Sequence, residues 1–189
     1  SQELVSRNLK TGTVHRANGW GLCQFFDGAV FVTSSKGRVG QLNVDTLRLE
    51  REVKVFENDM ATLQVYDHGR KLFAHEYRGK FGTPSNCAIL DAKTLEVLAH
   101  FKLEWPAGTG VDYLMSDSLD NGNVAFGALV YDLETGRQSR YAVVYIFSGQ
   151  DGKILNRLQT EGPISAVQFT TDEKSLVIAS HESGKHAAT

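Results

Sequence analysis

Leu90-Asp91-Ala92-Lys93-Thr94-Leu95 is the stretch of sequence that decides the fold, because close copies of it recur along the chain. The pattern is a β-rich run, then Asp or Asn, two residues, Thr, Gly or Leu, and another β-rich run. The other copies are Arg7-Asn8-Leu9-Lys10-Thr11-Gly12, Leu42-Asn43-Val44-Asp45-Thr46-Leu47, Tyr131-Asp132-Leu133-Glu134-Thr135-Gly136 and a degenerate Phe147-Ser148-Gly149-Gln150-Asp151-Gly152. Asp or Asn can accept a hydrogen bond from the backbone two residues on, and Gly supplies a positive φ. Each copy is therefore predicted to be a tight reversal between two strands.

A second kind of hairpin lies between these reversals. Asp27-Gly28 separates two β-rich runs at 21–26 and 29–34, which is a strong signal for a two-residue turn. Comparable pairs of runs flank polar turns at 67–70, 116–123 and 171–174. Helix signals are scarce, since no apolar stripe persists for three turns and 18 glycines interrupt the chain. We therefore predict an all-β protein.

The repeating unit reads as four strands, two joined by an Asp-Gly-like turn and two by the Asp-x-x-Thr-Gly-like turn. A four-stranded repeat of roughly 40 to 50 residues is what a β-propeller blade requires. The second turn resembles the end of the third strand in WD40 repeats and in the related YVTN-type and quinoprotein-like propellers. The Trp of the usual Trp-Asp pair is replaced here by Arg7, Leu42, Leu90 and Tyr131, and the Gly-His pair is missing. The chain thus resembles a degenerate member of the WD40/YVTN-like β-propeller superfamily.

The resemblance implies four-stranded antiparallel blades, about three of them complete, with a half-blade at each end. The predicted division of this single domain is a half-blade at 1–18, blades at 19–57, 58–104 and 105–160, and a half-blade at 161–189. Seven blades are usual in the WD40 family, so we expect a seven-bladed ring whose remainder lies outside this chain. The alternative is a closed four-bladed ring, in which the two half-blades satisfy each other's exposed edges.

Composition and charge favour an ordinary soluble globular protein. Hydrophobic residues make up 41% and charged residues 22% of the chain, and the formal net charge is -2. This charge gives no indication of a nucleic-acid partner. No membrane span or signal peptide is visible, so we expect a cytoplasmic or nuclear protein. Cys23 and Cys87 are predicted to be buried free thiols, with a disulfide or a reactive thiol as the alternatives.

Motifs that carry chemistry are missing from the sequence. The six histidines lack the spacing of a zinc site, and there is no Walker loop, dinucleotide fingerprint or Gly-x-Ser-x-Gly motif. The polar run at 116–123 superficially resembles a calcium loop but lacks the closing Glu, which favours a plain hairpin loop. We predict no metal, no cofactor and no enzymatic activity.

The loops carry the better functional signal, because aromatic and Arg side chains are enriched at binding hot spots. By analogy with propellers, the connections between blades and the loops of the middle hairpins gather on one face. The predicted protein-binding residues are Trp20, Arg78, Phe81, Trp105 and Arg137. For Trp20 and Trp105, packing between blades is an equal alternative.

The function predicted from these features is a non-catalytic protein–protein interaction scaffold of the WD40-like type, within a larger protein or complex. The alternative is a propeller enzyme or small-ligand binder of the quinoprotein-like or lactonase-like kind. Such enzymes collect charged or metal-binding side chains from several blades at a central channel. No acidic or His position repeats across the units of this chain.

Overall fold

The computed structural model describes residues 2–34, 36–58, 60–76, 85–105, 109–118, 122–132, 138–172 and 174–180. Every regular element in these ranges is a β-strand, and the strands form four antiparallel sheets. The prediction of an all-β protein is confirmed. The chain splits into two compact units, the first made of Ser1–Arg78 with Asn86–His100 and the second of Gly79–Ser85 with Phe101–Thr189.

The first sheet has five strands in sequence order: β1 (Gln2–Arg7), β2 (Val14–Phe26), β3 (Ala29–Ser34), β4 (Arg38–Asn43) and β5 (Leu49–Lys54). Strand β2 has two partners: residues 14–18 pair with β1 and residues 23–26 pair with β3. The segment that we predicted to be a separate half-blade, 1–18, therefore continues into this sheet without an intervening turn. The predicted blade boundaries stay a prediction.

The β1–β2 hairpin covers one face of the first sheet. Leu4, Ala17 and Trp20 pack against a buried cluster of Val30, Val32 and Leu42. At the end of the hairpin, the Ser6 hydroxyl donates a hydrogen bond to the Val44 carbonyl oxygen at 3.1 Å. The apolar side chains of this face are thus removed from water by residues from the start of the chain.

The opposite face of the first sheet packs against a second, four-stranded sheet. Its strands, in order, are β6 (Met60–Tyr66), β7 (Lys71–Glu76), β8 (Ser85–Asp91) and β9 (Val97–Leu103). Alternation along the strands sends Phe31, Val39 and Val53 toward this interface. They meet buried residues of the second sheet that include Leu63, Leu72, Ala74, Ala88 and Leu90. This contact is the main core of the first unit.

The second unit contains two further sheets. The larger one has the order β10 (Thr109–Ser118), β11 (Asn123–Asp132), β12 (Gln138–Ser148) and β13 (Ile154–Gln159), and the smaller pairs β14 (Ile164–Phe169) with β15 (Leu176–Ser180). Ile164 and Val167 of β14 pack against Leu129 and Val144 of the larger sheet. The two sheets approach closely at Gly127, where a Cβ atom would lie 2.5 Å from the Ile164 Cδ1 atom.

The predicted reversals are present in the described copies of the repeat. The Asp91 Oδ1 atom accepts hydrogen bonds from the backbone of Lys93 and Thr94 at 2.9 and 2.7 Å, and from the Thr94 hydroxyl at 3.0 Å. The final position has a positive φ in every described copy: Gly12 (75°), Leu47 (53°), Leu95 (61°) and Gly152 (74°). The copy at 131–136 lies mostly outside the described residues.

The turn at Asp27-Gly28 also has the predicted geometry. Phe26 pairs directly with Ala29, and both central residues have positive φ, 44° and 76°, as a type I′ turn requires. Both cysteines are free, with Cys87 buried and Cys23 half-buried. The described part of the chain contains no helix with the length and apolar character needed to cross a membrane.

Candidate functional site

The predicted binding residues fall into two groups. Arg78, Phe81 and Arg137 lie outside the described residues, so their assignment stays a prediction. Trp20 and Trp105 are described, and they sit in different units with different surroundings.

Trp105 is a packed side chain of the second unit. Only 8% of it is exposed, and its indole N–H donates a hydrogen bond to the Ser85 hydroxyl at 2.8 Å. Its ring meets Tyr145 edge to face, with the ring centroids 5.3 Å apart. Of the two interpretations left open by the sequence, the structure supports packing, because little of the ring is available to a partner.

Trp20 is half-buried, so part of its side chain packs in the core and part is exposed. Its ring lies over Gly40, where a Cβ atom would be 3.0 Å from two ring carbons, and it packs on the cluster around Val32. One side of the indole therefore belongs to the core of the first unit. Part of the side chain stays exposed, so its contact role stays a prediction.

A surface depression of about 490 Å³ opens at one end of the first unit, and we call it the turn-end depression. It forms where the β2–β3 turn meets the turns that end β6 and β8. The residues lining it are Phe26, Asp27, Ala29, Phe31, Gln41, His68, Gly69, Arg70, Asp91, Ala92 and Lys93. Both sheets of the unit contribute, so the depression is the open end of the interface between them.

One wall of the depression is a row of residues across the first sheet. Phe31, Gln41 and Arg51 are direct cross-strand partners on β3, β4 and β5, so their side chains share one face. Phe31 is buried, Arg51 is exposed, and Gln41 lies between them. The Gln41 Oε1 atom is buried and has no hydrogen-bond partner among the described residues. Such an orphaned acceptor is costly, and it marks a position where an incoming donor would be favourable.

An exposed phenylalanine forms the rim. Phe26 is 40% exposed and its ring lies against Gly69, where a Cβ atom would be 1.8 Å from the Phe26 Cε1 atom. Gly69 has a φ of 80°, so both the backbone conformation and the close approach require glycine. Phe25, beside it in sequence, is 65% exposed. The rim thus presents apolar surface held in a fixed position.

Cations from three different elements surround the depression. The Arg70 guanidinium is bonded to both the carboxylate and the backbone carbonyl of Asp67, which is 5% exposed. The Arg51 guanidinium donates to the Lys93 carbonyl oxygen, which places it beside the exposed Lys93 side chain. These contacts orient Arg51 and Arg70 before any ligand arrives.

The nearby carboxylates only partly offset this positive charge. Asp91 is engaged in its own turn, where the Thr94 backbone N–H holds the pKa of its carboxyl below the ordinary value. Asp67 is buried and already paired with Arg70 and Lys71. Asp27 is exposed in the β2–β3 turn. Among the lining residues, the exposed cations Arg70 and Lys93 stand with the carboxylates of Asp27 and Asp91, and Arg51, bonded to the Lys93 carbonyl oxygen, adds a third exposed cation beside the lining.

A buried polar cluster lies at the opposite end of the second sheet. Glu76 is 1% exposed, and its carboxylate accepts hydrogen bonds from the Asn58 backbone and side chain at 3.2 and 2.8 Å and from the Asn86 side chain at 2.6 Å. Burial lowers the pKa of the adjacent His75 to about 3 and raises the pKa of the Cys87 thiol. These groups are enclosed in the core. Among the described residues, no three His, Cys, Asp or Glu side chains are grouped so as to hold a metal ion.

The sequence analysis did not find the turn-end depression. It placed the binding surface on the connections between blades and on the middle-hairpin loops, and not on the turns that line the depression. In β2 and β3, for example, Trp20 pairs with Ser34 at one end, whereas Asp27-Gly28 closes the other. The missed signal was the pair Phe25-Phe26 immediately before a turn, a position where apolar side chains tend to be exposed.

Comparison with known proteins gives matches at the level of structure. No protein-family model and no curated protein matches the sequence. Among solved structures, the Cps50 (Swd1) β-propeller domain of Myceliophteria thermophila aligns over 85% of this chain and 47% of its own, with 15% identity and a TM-score of 0.55. The C-terminal WD40 domain of Sif2 aligns over 94% of this chain and 52% of its own, with 12% identity and a TM-score of 0.54. A computationally designed protein, Ika4, aligns over 85% of this chain and 90% of its own, with 14% identity and a TM-score of 0.55.

These similarities concern the fold, since all three identities are low. The chain spans about half the length of the two natural propeller domains. The two four-stranded antiparallel sheets, the sequential strand order and the repeated turn before the last strand of the three larger sheets agree with the same architecture. The chain therefore has the fold of blades of a WD40-like β-propeller.

Proposed function

We propose that this chain is a non-catalytic protein–protein interaction scaffold, acting within a larger protein or assembly. The observation that carries the proposal is the turn-end depression, which is lined by exposed Phe26 and by the exposed cations Arg70 and Lys93, with exposed Arg51 bonded to the Lys93 carbonyl oxygen. Aromatic and Arg side chains in a concave, preorganised surface are typical of residues that dominate binding energy. WD40 propellers usually mediate protein interactions, which agrees with this role.

The proposal includes the loop residues predicted from sequence. Arg78, Phe81 and Arg137, with the exposed part of Trp20, are further proposed contact residues. Their support is chemical, since Phe and Arg in glycine-rich or polar loops offer contact area at positions unlike those of a core.

The role of these loop residues is tested by a triple variant in which Arg78, Phe81 and Arg137 are each replaced by Ala. Wild type and variant are cross-linked to proteins of the native cell extract, and captured proteins are identified by mass spectrometry. We expect the variant to lose partners that the wild type captures reproducibly, with an unchanged thermal unfolding midpoint. The matched control replaces Arg7, Leu9 and Arg48 with Ala. All three are exposed, and none belongs to the turn-end depression or to the loop residues.

The possible results have separate meanings. A wild type that captures no protein reproducibly overturns the scaffold role. A triple loop variant that captures the same partners as the wild type overturns the loop assignment and leaves the turn-end depression as the contact surface. Loss of capture in the control variant as well would show that the effect is not specific to the loops.

A further inference from the structure

We propose that the turn-end depression binds an acidic linear peptide segment of a partner protein, with aromatic or large aliphatic side chains set among its carboxylates. This inference rests on the proposed function and names the chemistry of the partner. It depends on three features of the depression: its cations, its exposed aromatic rim and its orphaned acceptor.

The first feature is the arrangement of positive charge. Arg70 and Lys93, from the β6–β7 turn and the β8–β9 turn, line the depression, and Arg51 of β5 lies beside it through its bond to the Lys93 carbonyl oxygen. Two of them are oriented by bonds to the protein itself. Carboxylates spaced along a peptide can pair with several of these groups at once, and Arg binds carboxylates with two parallel hydrogen bonds.

The second feature is apolar surface beside that charge. Phe26 is fixed against Gly69 and leaves part of its ring exposed, and Ala29 and the buried Phe31 continue the apolar lining inward. An aromatic or aliphatic side chain of a peptide would cover this surface. A simple anion would leave it in water, so the combination favours a peptide over an isolated acidic group.

The third feature is the Gln41 side chain. Its buried Oε1 atom has no donor among the described residues, and its cross-strand neighbours Phe31 and Arg51 belong to the same wall. The terminal torsion of a Gln side chain is soft, so the oxygen can turn toward an incoming group. A peptide backbone supplies N–H donors, whereas an ionised carboxylate supplies none. The orphaned acceptor therefore also favours a peptide.

A polyanion such as RNA is the less suitable occupant. The depression contains the exposed carboxylate of Asp27 and that of Asp91, and the whole chain carries a formal net charge of -2. Nucleic-acid binding depends on a continuous positive surface that neutralises many phosphates. The mixture of positive and negative side chains in the depression suits a peptide that places a few carboxylates close to the cations.

The test uses fluorescence anisotropy with the 189-residue chain and a labelled peptide, Gly-Asp-Glu-Phe-Asp-Glu-Leu-Gly. We expect saturable binding that weakens as salt rises from about 0.05 M to about 0.5 M, because exposed charges are screened. The Lys93→Glu variant should bind about tenfold or more weakly, since it puts a like charge beside the peptide carboxylates. A peptide with Ala in place of Phe and Leu should also bind more weakly.

The matched control is Lys10→Glu. Lys10 is exposed and occupies the same position as Lys93 in a turn of the same kind, since each backbone N–H donates at 2.9 Å to the side chain two residues earlier. The two variants thus make the same charge change in equivalent turns, but only Lys93 lines the depression. We expect Lys10→Glu to bind the peptide as the wild type does.

A second variant separates binding from folding. Gln41→Leu removes the orphaned acceptor, so the free energy of unfolding should stay constant or rise. Peptide affinity should fall, because the incoming N–H donor loses its partner. Opposite changes in these two quantities are the expected result, and a parallel loss of both would mean that Gln41 acts only in folding.

Several outcomes overturn the peptide site. They are an absence of saturable binding, equal weakening by Lys10→Glu and Lys93→Glu, or tighter binding of a labelled oligouridylate than of the peptide. In each case, reproducible capture of partner proteins by the wild type would still support the scaffold role. A wild type that binds neither peptide nor partner proteins would end both proposals.

Discussion

Glu76 illustrates how a single charged residue can be kept in the core of a blade. It ends β7, it is 1% exposed, and its two carboxylate oxygens accept hydrogen bonds from Asn58 and Asn86. Asn58 lies between the first and second sheets along the chain, so the carboxylate fastens that connection to the sheet interior. A buried carboxylate is tolerated because hydrogen bonds replace its lost hydration.

Replacing Glu76 with Ala should destabilise the protein by about 2 kcal/mol or more, because the amides of Asn58 and Asn86 lose a charged acceptor in a buried place. The measurement is urea unfolding followed by far-UV circular dichroism at neutral pH. The control is Glu57→Ala, which removes a carboxylate that is 83% exposed and paired with Lys54 at 2.7 Å. That variant should change stability by less than about 1 kcal/mol. Equal effects of the two substitutions would contradict the structural role of Glu76.

At the residue scale, the sequence predicted the turn positions well, but it left open whether Trp105 is packed or exposed. The acceptor role of Asp91 depends only on neighbours within a few residues, so a local pattern is sufficient. The burial of Trp105 depends on Ser85 and on Tyr145, which are distant in sequence. Nothing in the sequence pointed to Gln41, because its proposed role depends on residues of the second sheet that line the same depression.

At the scale of elements, several strands have the predicted bounds. β3 matches the predicted run 29–34, and the strand pairs β6–β7 and β14–β15 flank the predicted turns at 67–70 and 171–174. The main difference is β2, which extends back to Val14, because strand pairing continues on both sides of Asn18-Gly19 although Gly19 has a φ of 88° and the register with β1 shifts there. An Asn-Gly pair in the sequence suggests the end of a strand. In the structure β2 continues, and its pairing partner changes from β1 to β3 near this pair.

The packing of β14 on the larger sheet of the second unit depends on the absence of a side chain at Gly127. A Cβ there would lie 2.5 Å from the Ile164 Cδ1 atom and 3.0 Å from the Val167 Cγ2 atom. Both residues are buried, so neither can move aside freely. We expect Gly127→Ala to lower the free energy of unfolding by about 1 to 3 kcal/mol through overpacking, as measured by chemical denaturation.

The matching double variant combines Gly127→Ala with Ile164→Val, which removes the Cδ1 atom that the new methyl group would meet. Its total cost should be smaller than the sum of the two single costs, since residues in contact are not additive. Costs that simply add would show that Gly127 is required for its backbone rather than for the close approach of β14.

At the scale of the whole molecule, the titrating groups with displaced pKa values favour folding most strongly near neutral pH. Burial lowers the pKa of His75 from 6.5 to about 3, with a smaller opposing effect of Glu76. Hydrogen bonds within turns lower the pKa values of three aspartates. The main donor is the Thr94 backbone for Asp91, the Lys153 backbone for Asp151 and the Thr170 hydroxyl for Asp172. In acid, the unfolded chain therefore binds protons that the folded chain does not, and stability falls.

On the alkaline side, the displaced groups act in the opposite direction. Burial raises the pKa of the Cys87 thiol above its ordinary value of 9.0 and the pKa of Tyr66 above 10.0, and nearby Glu76 and Asp67 add to these shifts. Above about pH 9 the unfolded chain loses protons that the folded chain retains. Stability should therefore fall again as pH rises through this range.

The prediction is a stability profile with its maximum between about pH 6.5 and about pH 9, measured as the urea midpoint by circular dichroism and tryptophan fluorescence. Cys87→Ala should make the alkaline limb shallower at some cost in stability near neutral pH, because a buried thiol is replaced by a smaller group. His75→Leu should make the acid limb shallower between about pH 6.5 and about pH 4, since the unfolded chain then has no imidazole to protonate at this position. An acid limb that is unchanged in His75→Leu would mean that the turn carboxylates alone account for it, and that the buried imidazole is protonated as readily in the folded chain as in the unfolded one.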